Sequence, residues 1–160
     1  MVDKAPETVC SVRIIVDTNI VFSAILNTTG RIGKVLIGSG THFQFYTCDF
    51  LRIELQKHRG KLLKITKLTE GKLHELELLI TSNIKFINES LIAEKQWLSA
   101  NILLKDIDPN DTPFVALAKE LDAKLWTGDM QLYHGLKEKR FKAVITTAEL
   151  SFILDELERK

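Results

Sequence analysis

Four acidic residues, Asp17, Glu54, Asp111 and Asp129, stand where the sequence changes from one local pattern to another. Asp17 ends the apolar run VRIIV, and Glu54 falls about one turn into a helical stretch that follows Asp49. Asp111 closes the turn-forming Lys105-Asp106-Ile107-Asp108-Pro109-Asn110, and Asp129 follows Thr127-Gly128. Four carboxylates brought together would repel, raise one another's pKa values and weaken the fold unless something cationic compensates. A divalent ion is the simplest compensation, and carboxylate plus water coordination suits Mg2+ or Mn2+. Each acid also has a milder role open to it. Asp111 fits a helix N-cap or first-turn position, Asp129 a chain turn, and Glu54 an exposed helix face paired with a base. Asp17 is harder to dismiss, because a charge at the end of a buried strand needs a partner.

The elements that must carry these acids are legible from periodicity. Residues 12 to 17 form a β-branched run suited to a strand buried on both faces, followed at once by the helical TNIVFSAIL and the turn Asn27-Thr28-Thr29-Gly30. Arg31 to Ile37 is a second helix, stopped by Gly38-Ser39-Gly40. Phe43 to Cys48 alternates like a strand, and Asp49 is placed to cap the helix that carries Glu54. Thr69 to Ile80 has helical spacing, Ile84 to Ile87 reads as a strand, and 89 to 104 as one or two helices. Pro113 fits only the first turn of a helix, so Asp111 sits at the start of the apolar stripe Phe114, Val115, Leu117, Ala118 and Leu121. Ala123 to Thr127 and Lys142 to Thr146 supply the last strands, with helices over Met130 to Leu136 and Thr147 to Leu157.

Strands alternating with helices throughout predict an α/β fold, a three-layer α/β/α sandwich around a central parallel sheet of about five strands. In such sheets ligands bind outside the carboxyl ends of the strands, the edge where all four acids fall. The expected organisation is an N-terminal tail over 1–11 and a single domain over 12–158.

Composition excludes several classes. With 45% hydrophobic and 27% charged residues the chain is neither disordered nor low in complexity. No apolar run approaches a membrane span and the first residues lack a signal-peptide pattern, so the expectation is a cytoplasmic protein with no membrane association. Cys10 and Cys48 lack metal or redox spacing and read as buried or incidental thiols. His42, His58, His74 and His134 likewise have no ligand spacing, and Trp97 and Trp126 suit a core or interface better than a base-stacking role. A formal net charge of +1 rules out a surface that attracts nucleic acid as a whole, so an anionic partner must be met by a local patch. Residues 56 to 67 offer one, with Lys57, Arg59, Lys61, Lys64 and Lys67 and no acid, although a solvated helix face has the same appearance.

Together, VRIIVDTNIVFSAIL, the Glu54 helix, DPNDTPFVALAKEL, KLWTGD and the closing VITTAELSFIL resemble the PIN domain nucleases, near their bacterial and archaeal toxin-like branch. The resemblance runs from about residue 12 to 155, nearly the whole chain. It implies that Asp17, Glu54, Asp111 and Asp129 form the family's acidic quartet and bind Mg2+ or Mn2+, with Asn19 and Thr127 in support. Gln131 stands near the place where many relatives carry a further acid, and Asp108 is a candidate substitute besides its turn-forming role. The implied activity is metal-dependent hydrolysis of RNA phosphodiester bonds, an endoribonuclease, with Lys57, Arg59, Lys61 and Lys64 holding the backbone. Lys137, Lys139 and Arg140 are further candidates for that task. A toxin restrained by an antitoxin protein is the implied setting, and apolar helix faces near 69 to 104 suit a homodimer. The reading from another class is a PIN-like module without activity that binds RNA or a protein. Phosphatases that need a second Asp two residues after the first are disfavoured by Asn19, and receiver domains by the absence of their acid pair.

Overall fold

A computed structural model describes residues 11–39 and 42–160. Five strands form one wholly parallel sheet: β1 (Val12–Val16), β2 (Phe43–Cys48), β3 (Ile84–Ile87), β4 (Lys124–Trp126) and β5 (Val144–Ile145), in the spatial order β3-β2-β1-β4-β5. β1 is central because it is apolar on both faces, with Ile14, Ile15 and Val16 fully buried. Its register sets the rest: Ile14 lies opposite Phe45 on one side and Lys124 on the other.

The helices follow from this order. The steps from β1 to β2 and from β2 to β3 run one way across the sheet, through α1 (Thr18–Leu26), α2 (Arg31–Gly38), α3 (Phe50–Lys57), α4 (Arg59–Thr66) and α5 (Glu70–Thr81). The steps to β4 and β5 run the other way, through α6 (Glu94–Leu104), α7 (Thr112–Leu121) and α8 (Met130–Glu138). Right-handed crossovers therefore put the two groups on opposite faces. α1, α2 and α5 pack together on one face, whereas α7 lies on β1, β2 and β4 under α6 on the other. The closing α9 (Thr147–Glu158) returns to pack on α2. The result is the expected α/β/α sandwich.

α7 is buried continuously from Phe114 to Ala118, and the small Ala116 and Ala118 keep it close to the sheet. Trp126 is fully buried beside Phe45, and its indole N–H donates to the Thr147 hydroxyl at 3.0 Å, tying β4 to α9. This agrees with its reading as a core residue. Cys48 is also buried, which pushes its thiol pKa up to about 12, whereas Cys10 and the 1–11 tail, Ser11 apart, lie outside the described residues.

Three local expectations change. Asp49 does not cap α3: its backbone is helical, its carboxylate pairs with Arg52 and accepts from the Asn88 side chain, and the Phe50 N–H donates instead to Glu89. Glu89 lies in a short 3-10 turn, Glu89–Leu91, that separates β3 from α6. The strand expected over Lys142 to Thr146 is reduced to Val144–Ile145, because Thr146 leaves the ladder to form a reciprocal capping box with Glu149 at the start of α9. The basic stretch 56 to 67 is broken at His58 into α3 and α4, and α4 ends on Lys67 in the left-handed conformation. Among the described residues no single helix is long and apolar enough to cross a membrane.

Candidate metal centre

β1 and β4 are adjacent, yet the chain leaves β1 in one direction and reaches β4 only after crossing back over the sheet. Their carboxyl ends thus flank the point where strand order reverses, the place where open α/β sheets leave a crevice. Asp17 follows β1 directly and Asp129 lies three residues past Trp126, the end of β4. Both serve as N-caps. Asp17 Oδ1 accepts the N–H of Ile20 at 3.0 Å, and Asp129 Oδ1 accepts those of Gln131 and Leu132 at 3.0 and 3.2 Å. Capping explains why the chain turns there, and it occupies one oxygen of each carboxylate while the partial positive charge of the helix start favours the anion.

Capping does not explain Asp111. It stands at the start of α7 but makes no cap hydrogen bond with its side chain, so its milder reading as an N-cap fails. The preceding 3-10 turn, Pro109–Asp111, is capped instead by Asp108, which accepts from Asn110 at 3.0 Å. Asp111 is part-buried. Burial, then the charges of Asp17, Asp108 and Asp129, push its pKa up to about 7. Asp17 is 2% exposed, and burial is the main influence pushing its pKa up to about 6, with Asp129 adding repulsion. Hydrogen bonds from Ile20, Thr127 and the Asn19 backbone act in the opposite direction. Three of the four acids are therefore mutually charged neighbours. No lysine or arginine is among the main groups setting either raised value.

Thr127 is fully buried, and its hydroxyl accepts the Asp129 N–H at 3.1 Å while stabilising ionised Asp17 as a donor. It supports both acids. Asn19 contributes through its backbone, and its exposed residue position puts the amide at the surface. Asp108 adds negative charge beside Asp111, as well as forming the turn.

The donor set is all oxygen. Among the described residues no three His, Cys, Asp or Glu side chains stand close enough to hold a metal ion as a ready-made group. An open group of this kind fits Mg2+ or Mn2+, which keep several waters and bind through one or two carboxylates, better than it fits Zn2+. The PIN domain family matches the sequence over residues 15–154. This chain belongs to the PIN domain family. Its fold agrees: a chain in the crystal structure of VapBC2 from Rickettsia felis bound to a DNA fragment from their promoter superposes with a TM-score of 0.61 at 18% identity, over 84% of this chain and 96% of that one. No curated protein matches the chain in sequence.

The fourth acid of this PIN domain is placed differently. Glu54 is half-buried on α3 and pairs with His58, Oε2 to Nε2 at 3.3 Å, and it is not among the main charges felt by Asp17 or Asp111. His58 in turn packs edge-on against Phe22 of α1, ring centres 5.5 Å apart. His58 has no metal-ligand spacing, but its i,i+4 relation to Glu54 on one helix is a sequence signal for this pair. The basic candidates also divide. Arg59 is committed to Glu77 at 3.1 Å and to the Glu70 carbonyl, and it fastens α4 to α5. Lys139 is paired with Asp106 and donates to the Leu103 carbonyl. Lys57, Lys61 and Lys64 are exposed on α3 and α4. Thr18, which follows Asp17, has a buried hydroxyl with no hydrogen-bond partner among the described residues.

Proposed function

We propose that the acid cluster at the carboxyl ends of β1 and β4 is the centre of an Mg2+- or Mn2+-dependent endoribonuclease. The observation that carries this reading is the convergence of Asp17, Asp111 and Asp129: burial, then the charge of Asp129 on Asp17 and those of Asp17, Asp108 and Asp129 on Asp111, push the two pKa values up to about 6 and about 7. Among the described residues no lysine or arginine is a main influence on either acid, so a divalent ion is the simplest compensation and a module without activity is disfavoured.

Asp17, Asp111 and Asp129 would hold the ion, with Glu54 acting partly through water. When bound, such an ion lowers the pKa of a water and neutralises charge on the phosphate and leaving oxygens. The carboxylates themselves do not attack phosphorus. Thr127 holds Asp129 and Asp17 in one arrangement, and the first turns of α1 and α8 each bind one carboxylate oxygen of these acids. Lys57, Lys61 and Lys64 are positioned by exposure to meet RNA phosphates, in contacts that weaken with salt.

Membership of the PIN domain family and the likeness to a VapBC2 chain support a toxin-type nuclease held by an antitoxin protein. The exposed Leu78 and Leu79 of α5 and Leu98 and Ile102 of α6 support self-association through those helices.

Nuclease assays on mixed RNAs with Mg2+, Mn2+ or EDTA, comparing the natural chain with Asp17→Asn and Asp129→Asn, test the reading. Cleavage that is metal-dependent and lost in both variants is expected. Cleavage that survives both substitutions or needs no metal would sink it. RNA or peptide binding without any cleavage would favour the binding module. Copurification with a short partner protein tests the antitoxin.

A further inference from the structure

Positive charge is also concentrated on the β5 edge of the sheet, away from α3 and α4. A groove of about 490 Å3 between β5, α8 and α9 is lined by the exposed Lys124, Lys137 and Lys142 and by Phe152. Phe152 is 65% exposed and also lines an adjoining hollow of about 370 Å3 between α2 and α9, where Arg31 and Lys34 are exposed. One large aromatic ring therefore stands in water between two basic pockets. Five cations face two carboxylates, Glu149 and Asp155. The hydroxyl of Ser151, on the wall of the second hollow, is buried and has no hydrogen-bond partner among the described residues.

We propose that these two adjoining hollows bind the backbone of single-stranded RNA, with Phe152 as a stacking platform for one base, and so hold RNA beside the acid cluster. The inference rests on the ribonuclease reading for the identity of its ligand. Separated lysines and arginines beside an exposed aromatic ring match what an unpaired strand presents, phosphates in series and bases with two flat faces. An acidic peptide shares the charge but has no planar group for Phe152. β5, at two residues, is too short to template an added peptide strand. The groove is also within reach of the cluster. α8 starts on Asp129 and runs back along the sheet, so Lys137, eight residues on, lies about 12 Å from Asp129 along the helix axis.

Fluorescence anisotropy with a labelled single-stranded RNA of roughly 15 nucleotides, in EDTA so that nothing is cut, tests the groove. The protein variants are Lys124→Ala/Lys142→Ala and Phe152→Ala, each checked for native circular dichroism. The lysine pair is expected to weaken binding by roughly five- to tenfold and to lower the slope of log affinity against log salt by about 1.4. Phe152→Ala is expected to weaken it roughly tenfold with the slope unchanged. Folded variants that bind RNA within twofold of the natural chain would overturn the proposal, as would loss of poly-glutamate binding with RNA binding intact. The two readings separate cleanly. Groove-dependent binding in a protein that cuts no RNA removes the ribonuclease reading alone, and metal-dependent cutting with groove-independent binding removes the groove alone.

Discussion

The hydroxyl of Thr127 accepts the backbone N–H of Asp129 at 3.1 Å, which fixes the turn between β4 and α8 from inside the core. Because the same hydroxyl donates toward Asp17, one buried side chain sets the geometry of two acids from different strands. Thr127→Val keeps the shape and strands the Asp129 N–H, so it is expected to cost about 1–3 kcal/mol of stability by chemical denaturation. The Mg2+ concentration for half-maximal activity is expected to rise roughly 10- to 100-fold. Thr127→Ser, which retains the hydroxyl, is expected to recover most of both. An unchanged metal requirement in Thr127→Val would show that Thr127 does not orient the acids.

Asp111 makes no cap bond, so replacing it removes repulsion without removing a hydrogen bond that α7 needs. Asp111→Asn is expected to raise the melting temperature of metal-free protein at pH 8 by a few degrees, on the order of 1 kcal/mol, while abolishing cleavage. A lower melting temperature in calorimetry would mean that the cluster is not under electrostatic strain.

The raised values of Asp17 and Asp111 also prescribe a pH dependence. In the unfolded chain both carboxyls lose their protons near 3.8, whereas in the folded chain they keep them up to about 6 and about 7. Between these limits the folded state binds more protons, so metal-free stability should fall as pH rises from about 4 to about 7. For Asp17 alone the loss is roughly 3 kcal/mol. Added Mg2+ should stabilise the protein more at pH 8 than at pH 5, because protons and metal compete for the same oxygens. Urea titrations across this range, with Mg2+ and with EDTA, check both signs. A Mg2+ effect that is flat or larger at pH 5 would contradict the assignment.

Glu89 reaches from the turn after β3 to accept the Phe50 N–H at the start of α3, the helix that carries Glu54. Glu89→Ala is expected to cost about 1 kcal/mol and to loosen α3 locally, seen as faster hydrogen exchange at its first amides. If Glu54 contributes to the metal site, Mg2+ affinity should weaken with it. Exchange rates unchanged in α3 would leave Glu89 without this role.

Much of the architecture was legible because the chain alternates cleanly between two-fold and helical periodicity. Ile84–Ile87 and Phe43–Cys48 have the bounds that their apolar patterns suggest, and the helical spacing over Thr69 to Ile80 corresponds to α5. Illegible features depended on partners distant in sequence. Asp49 has every local attribute of an N-cap, yet the helix start is served by Glu89, 39 residues beyond Phe50 in sequence. The strand over Lys142 to Thr146 is the local exception: it shrinks because Thr146 and Glu149, three residues apart, satisfy each other in a capping box. Arg59 looks like a phosphate-binding residue until Glu77 is seen beside it.

By itself the sequence determined which residues could be acids at strand ends, and an all-parallel α/β order that sends those ends to one side. Periodicity and turn chemistry are local, and they suffice for that. Only the tertiary structure decided which acids feel one another. Asp17, Asp111 and Asp129 come together because β4 pairs with β1 after the chain crosses back, while Glu54 is drawn to His58. Charge repulsion and desolvation depend on distance and burial, which a linear spacing does not contain.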